Sequence, residues 1–316
     1  MRLEPMSTPG KMAGMQPPRA EARAAALDWP AMALLLVHCA IWGLGQVAIK
    51  VANAGVSPLT QAGIRSAGAT LCLGGWSAAR GVPLLGRDGT LGYGLTIGAM
   101  FAGEFVFIYW GLTFTTASRA VLFVYAAPFV VAVGAHFLLP GERLHRLKAL
   151  GLLCAFAGLA LAFADGLRLP SRRELTGDML ELAGAILWGA TTLVIKARGR
   201  AVSPQKTLFY QLAGSAVALL ALAWLAGEPG LTGPTPLVLG ALVYQTLVIA
   251  FASYLAWFWL LTRYPASQMH AFTFWTPLVG LAAGGLLLGE PVSAALIAAV
   301  GLVAAGIYLV NRQPPL

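Results

Sequence analysis

Arg65 and Glu104 are the charged residues deepest inside long apolar stretches. A charge within a bilayer is costly and persists where it meets a partner, an interior surface or water. At a helical rise of 1.5 Å per residue, Arg65 lies about 9 Å and Glu104 about 15 Å from the same membrane face. Long side chains bridge that difference. The two are expected to act as a pair, or Glu104 alone, in a cavity that holds an amino group, a carboxylate or a coupling proton. A structural ion pair that locks two helices is the other role open to them.

Aromatic residues gather in matching places. Phe105, Tyr109 and Trp110 fall in one stretch, and Tyr254, Trp257, Phe258 and Trp259 in another. With Trp42, Trp188, Tyr125, Tyr210, Tyr244 and Trp275 they are candidates for an amphipathic lining. Rings offer apolar area with a polar tip and attract ammonium groups. Core packing or lipid contact is the alternative for any single ring. Gln211, Gln245 and Gln268 need a partner inside apolar surroundings, and a substrate or a neighbouring helix serves equally. His38, His136 and His270 titrate near neutral pH and are candidates for proton relay, or for structural hydrogen bonding. Their spacing suits no metal. Pro128 and Pro277 sit mid-stretch, where proline removes a helical hydrogen bond and bends the chain. Gating hinges or fixed kinks follow.

The elements that must position these groups follow from composition. The chain has 316 residues, 58% apolar and 10% charged, against about 25% charged in soluble domains, so an integral membrane protein is expected. Three cysteines exclude a disulfide scaffold. Ten stretches approach the roughly 20 apolar residues of a membrane helix. They run over 31–51, 59–79, 91–114, 118–139, 147–164, 179–195, 207–226, 237–261, 267–288 and 292–310. Residues 1–28 read as a disordered cytoplasmic tail. The net charge of +9 reflects topology, since no basic run interleaved with aromatics points to nucleic acid. Of 21 Lys and Arg, 15 fall on the tails and even-numbered loops, which places both termini in the cytoplasm. Arg168, Arg172 and Arg173 oppose the bias.

The chain also repeats itself. Trp42-Gly43 matches Trp188-Gly189, Val56-Ser57-Pro58 matches Val202-Ser203-Pro204, and Ala67-Gly68 matches Ala213-Gly214, each 146 positions on. Further along, Ala117-Ser118 matches Ala266-Ser267, Pro128 matches Pro277, and Gly141-Glu142 matches Gly289-Glu290. Five stretches per half is an odd number, so the second half is expected upside down relative to the first. Inverted repeats of this kind build secondary transporters with a site at the midplane. A duplicated structural protein, a sensor or a membrane-embedded enzyme are the competing classes, and intramembrane charge is too sparse for the last. Gly43-Leu-Gly45-Gln-Val-Ala48 fits a dinucleotide fingerprint, but it lacks the strand and the acid about 20 positions on, and reads as helix packing. No phosphate loop occurs, and no cofactor or metal is expected. Small-residue runs at Gly280–Gly284 and Gly301–Ala305 predict close helix contacts, within a monomer or a homodimer.

Tyr109 to Ser118, then Pro128, Gly141-Glu142 and Gly151 through Gly158 form one pattern, echoed by Ala266-Ser267, Pro277, Gly289-Glu290-Pro291 and Gly301. With Arg65, this resembles the EamA family of the drug/metabolite transporter superfamily. The resemblance implies an all-α integral membrane protein of ten helices in two inverted five-helix repeats, 29–165 and 175–312. It implies a bacterial inner-membrane location and export of small metabolites such as amino acids, with import of small organic solutes as the alternative. Gln211 stands where the repeat would place a second arginine. The substrate-site candidates are thus Glu104, Arg65, Trp42, Trp188, Tyr109, Tyr210, Gln211, Tyr254 and Trp257.

Overall fold

A computed structural model describes residues 27–312, apart from 168, 199–200 and 289–293. The first 26 residues, Arg168 and the Gly289-Glu290-Pro291 motif therefore lie outside the described residues. The described chain is helical, with one isolated antiparallel bridge between Val56 and Leu231. In order come α1 (Trp29–Ala52), α2 (Pro58–Ala79), α3 (Leu91–Phe114), α4 (Ala117–Val124), α5 (Ala127–Leu138), α6 (Arg146–Ala162), α7 (Arg172–Arg198) and α8 (Pro204–Leu225). Then follow α9 (Pro236–Val243), a π-helical stretch (Tyr244–Ser253), α10 (Tyr254–Leu261), α11 (Ala266–Phe272), α12 (Trp275–Leu288) and α13 (Ala294–Asn311).

Among the described residues, seven segments are long and apolar enough to cross a membrane. They are Trp29–Ala52, Leu91–Phe114, Ser118–Leu138, Arg172–Arg198, Pro204–Leu225, Pro236–Leu261 and Ala294–Asn311. The other three expected spans coincide with helices that differ in kind. α2 is rich in small and polar residues around Arg65, α6 has 17 residues, and 266–288 is broken between α11 and α12. The stretch expected over 179–195 begins earlier, at Arg172. A reciprocal cap explains the extension. Ser171 Oγ accepts from the Glu174 N–H at 3.2 Å, and Glu174 Oε2 accepts from the Ser171 N–H at 2.8 Å. Polar residues there read as loop, yet they belong to the first turns of the helix.

Helices start where sequence chemistry allows. Asp28, Ser203 and Thr235 accept from N–H groups of the first turns of α1, α8 and α9, each followed by a proline within the first two helical positions. Packing is most extensive between α6 and α13, α3 and α7, α2 and α8, and α3 and α8, with α1 and α12 next. Gly151 and Gly306 make the first contact possible, since a Cβ on Gly151 would meet the Gly306 carbonyl at 2.6 Å. The fingerprint-like Gly43 lies in α1 and serves as packing, with its added Cβ 2.7 Å from the Thr276 carbonyl. Gly280 faces Gly43, as the small-residue run predicts, but Gly301 faces open space, and Gly306 does the packing on α13 instead.

Candidate functional site

Arg65 is buried on α2 with Cζ 4.4 Å from the centre of the Phe105 ring. Its Nε and Nη2 have no hydrogen-bond partner. Glu104 is buried on α3, and its Oε2 likewise has none. The expected direct pair does not form, because no ion pair joins them within 4.0 Å among the described residues. They remain electrostatic neighbours, and both lie within reach of Tyr254. Tyr109, on the α3 face that carries Phe105, has an unpartnered hydroxyl. Buried polar groups are almost always satisfied, so four unpartnered atoms on Arg65, Glu104 and Tyr109 mark a place built for something else to complete.

A chain of rings runs from this cluster through the molecule. Tyr109 stacks on Phe105 at 6.1 Å, Phe105 meets Phe101 at 4.9 Å, and Phe101 meets Tyr254 at 6.0 Å. Tyr254 meets Trp42 at 5.9 Å, and Trp42 meets Trp257 at 5.0 Å. His270 sits between Trp257 and Trp188, 5.3 Å from each. Trp188 then meets Tyr125 at 6.1 Å, and Tyr125 meets Phe274 at 6.4 Å. Hydrogen bonds hold the middle. Trp42 Nε1 donates to Ser253 Oγ at 2.8 Å, and His38 Nε2 lies 2.9 Å from the Ser253 carbonyl. His270 Nε2 lies 3.0 Å from Thr192 Oγ1, and its Nδ1 is unpartnered.

Five of the aromatic substrate-site candidates, Trp42, Trp188, Tyr109, Tyr254 and Trp257, therefore fall on one path, together with Phe105 and Tyr125. Tyr210 and Gln211 lie apart from it. Tyr210 packs on Gly94, with its hydroxyl 3.0 Å from Thr90 Oγ1, and Gln211 Oε1 is unpartnered. Trp110 and Trp259 are exposed, the latter beneath Arg263 at 4.0 Å. His136 accepts from the Leu144 N–H near the end of α5. No group of His, Cys, Asp and Glu suited to a metal occurs among the described residues.

The backbone is irregular beside this path. α4 ends at Val124, and α5 restarts at Ala127 with Pro128 in its first turn. α11 ends at Phe272, and α12 restarts at Trp275, followed by Pro277. Tyr125 and Phe274, which meet on the ring path, occupy these two breaks. The π-helical stretch Tyr244–Ser253 is a feature that sequence reasoning missed. No proline marks it, and its periodicity differs too little from an α-helix to register. Such stretches often mark functional sites. Here Gln245 Nε2 donates to the Ala48 carbonyl at 3.3 Å, and Tyr244 Oη donates to the Ile41 carbonyl at 2.9 Å.

Carboxylates close the helix ends. Glu142 accepts from the Ala266 and Ser267 N–H groups at 2.8 and 3.0 Å and from Ser267 Oγ at 2.9 Å. Lys148 Nζ donates to the same hydroxyl at 3.1 Å. Lys196 Nζ donates to the Leu261 carbonyl at 2.6 Å. Toward the other end of the bundle, Glu228 accepts from the Leu59 and Thr60 N–H groups at 3.0 and 2.8 Å. Burial works against ionisation of Glu228, but these hydrogen bonds outweigh it and hold its carboxyl below the usual range. Asp88 pairs with Lys206, whose ammonium holds the Asp88 carboxyl well below its ordinary value. A cavity of about 310 Å³ opens beside that pair, remote from the rings. Sequence reasoning also missed Arg119, Asp178 and Glu181, which lie together where α4 and α3 meet α7.

A family model for the EamA-like transporter family matches residues 29–164 and again 175–312. The chain belongs to this family. As an EamA-like protein it is a multi-pass membrane transporter and not an enzyme, with a small-molecule substrate. It is 30% identical to a probable amino-acid metabolite efflux pump of Salmonella typhimurium over 88% of this chain and 93% of that one. It is also 24% identical to YoaV, an uncharacterized transporter of Bacillus subtilis, over 85% of this chain and 92% of the relative. A solved crystal structure superposes with a TM-score of 0.78 at 21% identity, covering 89% of this chain and 96% of that one, which establishes a shared fold.

Proposed function

We propose that this EamA-like transporter exports amino acids or related small zwitterionic metabolites by alternating access. The observation that carries the reading is the unpaired state of Arg65 and Glu104, two buried opposite charges that face one region without closing on each other. A zwitterion satisfies both. Its carboxylate accepts from the Arg65 guanidinium, a fork suited to two parallel hydrogen bonds. Its ammonium meets Glu104 and the faces of neighbouring rings. Its side chain lies along Tyr254, Trp42 and Trp257. The printed names of the relatives support export, since the Salmonella protein and its Escherichia coli counterpart are both described as probable amino-acid metabolite efflux pumps.

In this reading ten helices cross the inner membrane as two inverted five-helix repeats, 29–165 and 175–312, with both termini cytoplasmic. Residues paired by the repeat support it. Tyr125 meets its counterpart Phe274 across the two helix breaks, and Phe105 and its counterpart Tyr254 both contact Phe101. Pro128 and Pro277 then serve as hinges at equivalent breaks, and the π stretch lets α9 and α10 turn relative to one another. Trp188 belongs to the distal wall of the path, while Tyr210 and Gln211 line the inner approach. The test is counterflow of radiolabelled amino acids by the purified protein in liposomes. Exchange of at least one amino acid is expected, and it should vanish in Arg65→Met. No exchange of any amino acid or small amphipathic solute overturns the reading.

A further inference from the structure

A second buried acid lies outside the site just described. Glu181 on α7 is fully enclosed, and neither of its carboxyl oxygens has a hydrogen-bond partner. It presses against Gly111 of α3, where a Cβ would come within 2.7 Å of Glu181 Oε1, so only glycine leaves the carboxyl its room. Asp178, three residues earlier, is equally enclosed but satisfied. It accepts from Arg119 Nε at 3.2 and 3.1 Å and from Thr115 Oγ1 at 2.7 Å. Residues three apart on a helix are neighbours, with about 5–6 Å between their Cβ atoms. One cation is thus engaged by the first of two adjacent acids, and the second acid has no donor.

An ionised carboxylate without donor or counter-ion in such surroundings is strongly disfavoured. The arrangement is tolerable with a proton on Glu181. The other groups that bear on it are few. Glu174 and Arg173 lie about two turns back on α7, the latter donating to the Thr113 carbonyl of α3 at 3.1 Å, and Arg119 is the cation of α4. On α3, Glu104 is seven residues from Gly111, about 10 Å along the helix. On α11, His270 bonds Thr192, about 16 Å further along α7 than Glu181. On α5, His136 lies beyond the level at which Gly134 meets Leu193 of α7, further still.

We propose that Glu181 is the coupling-proton site of this transporter, protonated while Asp178 alone holds Arg119 and discharged when Arg119 bridges the two acids. On discharge the acid O–H bond breaks, the proton passes to water on the face then open, and the carboxylate left behind accepts from the guanidinium. Loading reverses these steps, and no other covalent bond changes. The proposal rests on the transport reading above and separates the group that carries the proton from those that carry the substrate.

Two measurements on the purified full chain test it. Infrared difference spectra between acidic and alkaline buffer should show a protonated-carboxyl band in the wild type that is absent in Glu181→Gln. An unchanged band in that variant overturns the proposal. In liposomes with a pH dye sealed inside, an exchanged amino acid should move protons in the wild type. Glu181→Gln should keep exchange within about twofold while proton movement falls about tenfold or more. Retained proton movement, or equal loss of exchange and proton movement in folded protein, overturns it. Should Glu181→Gln not fold, Asp178→Asn decides, because Arg119 then settles on Glu181 and the band should disappear. Absence of all exchange in the wild type overturns the transport reading alone, since the infrared band still reports on Glu181.

Discussion

Arg65 and Glu104 are held close by α2 and α3, yet Arg65 rests on a ring and Glu104 keeps an oxygen bare. If they bind the two ends of a zwitterion, each should fail in its own way. Glu104→Gln is expected to abolish export while expression and thermal stability stay at wild-type levels, read in proteoliposomes and by thermal unfolding. Arg65→Lys keeps the charge but loses the planar fork, and should weaken substrate affinity by about 10- to 100-fold in calorimetry. The Glu228 cap responds to pH. Glu228 has a lowered folded-state pKa, so its capping contribution is fully present above the ordinary value of 4.5 and is lost as pH falls through the folded value. Thermal unfolding below pH 4.5 should therefore soften in the wild type, and Glu228→Gln should remove that part of the pH dependence. Isolated charges were legible in the sequence because no other charge lies near Arg65 or Glu104 along the chain. Asp178 and Glu181 were not, because Arg172, Arg173 and Glu174 make the run up to Asp178 read as loop and leave Glu181 at the edge of the expected stretch.

At the scale of elements, apolar runs showed where helices lie, and proline showed where two of them break. The chain restarts at Ala127 and Trp275, just ahead of Pro128 and Pro277. Pro128→Ala restores a missing N–H donor and favours a continuous helix from α4 into α5. Transport should slow several-fold while the unfolding temperature holds or rises, measured by initial rates and calorimetry. A fixed structural kink would instead leave rates unchanged. The contact between α3 and α7 predicts the opposite pattern. Gly111→Ala forces a methyl against Glu181 and should cost about 1–3 kcal/mol of stability in denaturant titration. The π stretch lay beyond sequence reasoning because its hydrophobic pattern resembles that of the α-helices on either side. The long start of α7 was hidden because a capping box and an ion pair, not apolar residues, support it.

For the molecule as a whole, composition alone gave membrane residence, and the spacing of Trp42-Gly43 and Trp188-Gly189 pointed to duplication. The proposed orientation rests on loop charge. A cysteine at Gly86 should react with membrane-impermeant reagent only from the cytoplasmic face, and one at Asp165 only from outside, in a background lacking Cys39, Cys72 and Cys154. Labelling from the reverse faces would invert the topology proposed here. What loop charge does not reveal is how far apart in sequence the groups at each end are. Glu228 receives the N–H groups of Leu59 and Thr60 across separations of 169 and 168 residues, and Glu142 receives that of Ala266 across 124. Chains are made at about 5–20 residues per second, so α2 waits roughly 8–34 s on the ribosome before its cap exists. During that interval its first N–H groups have only water to serve them. The opening turn of α2 must therefore stay at a wetted surface until the loop after α8 emerges, so the first half gains its last cap only once the second half is under way.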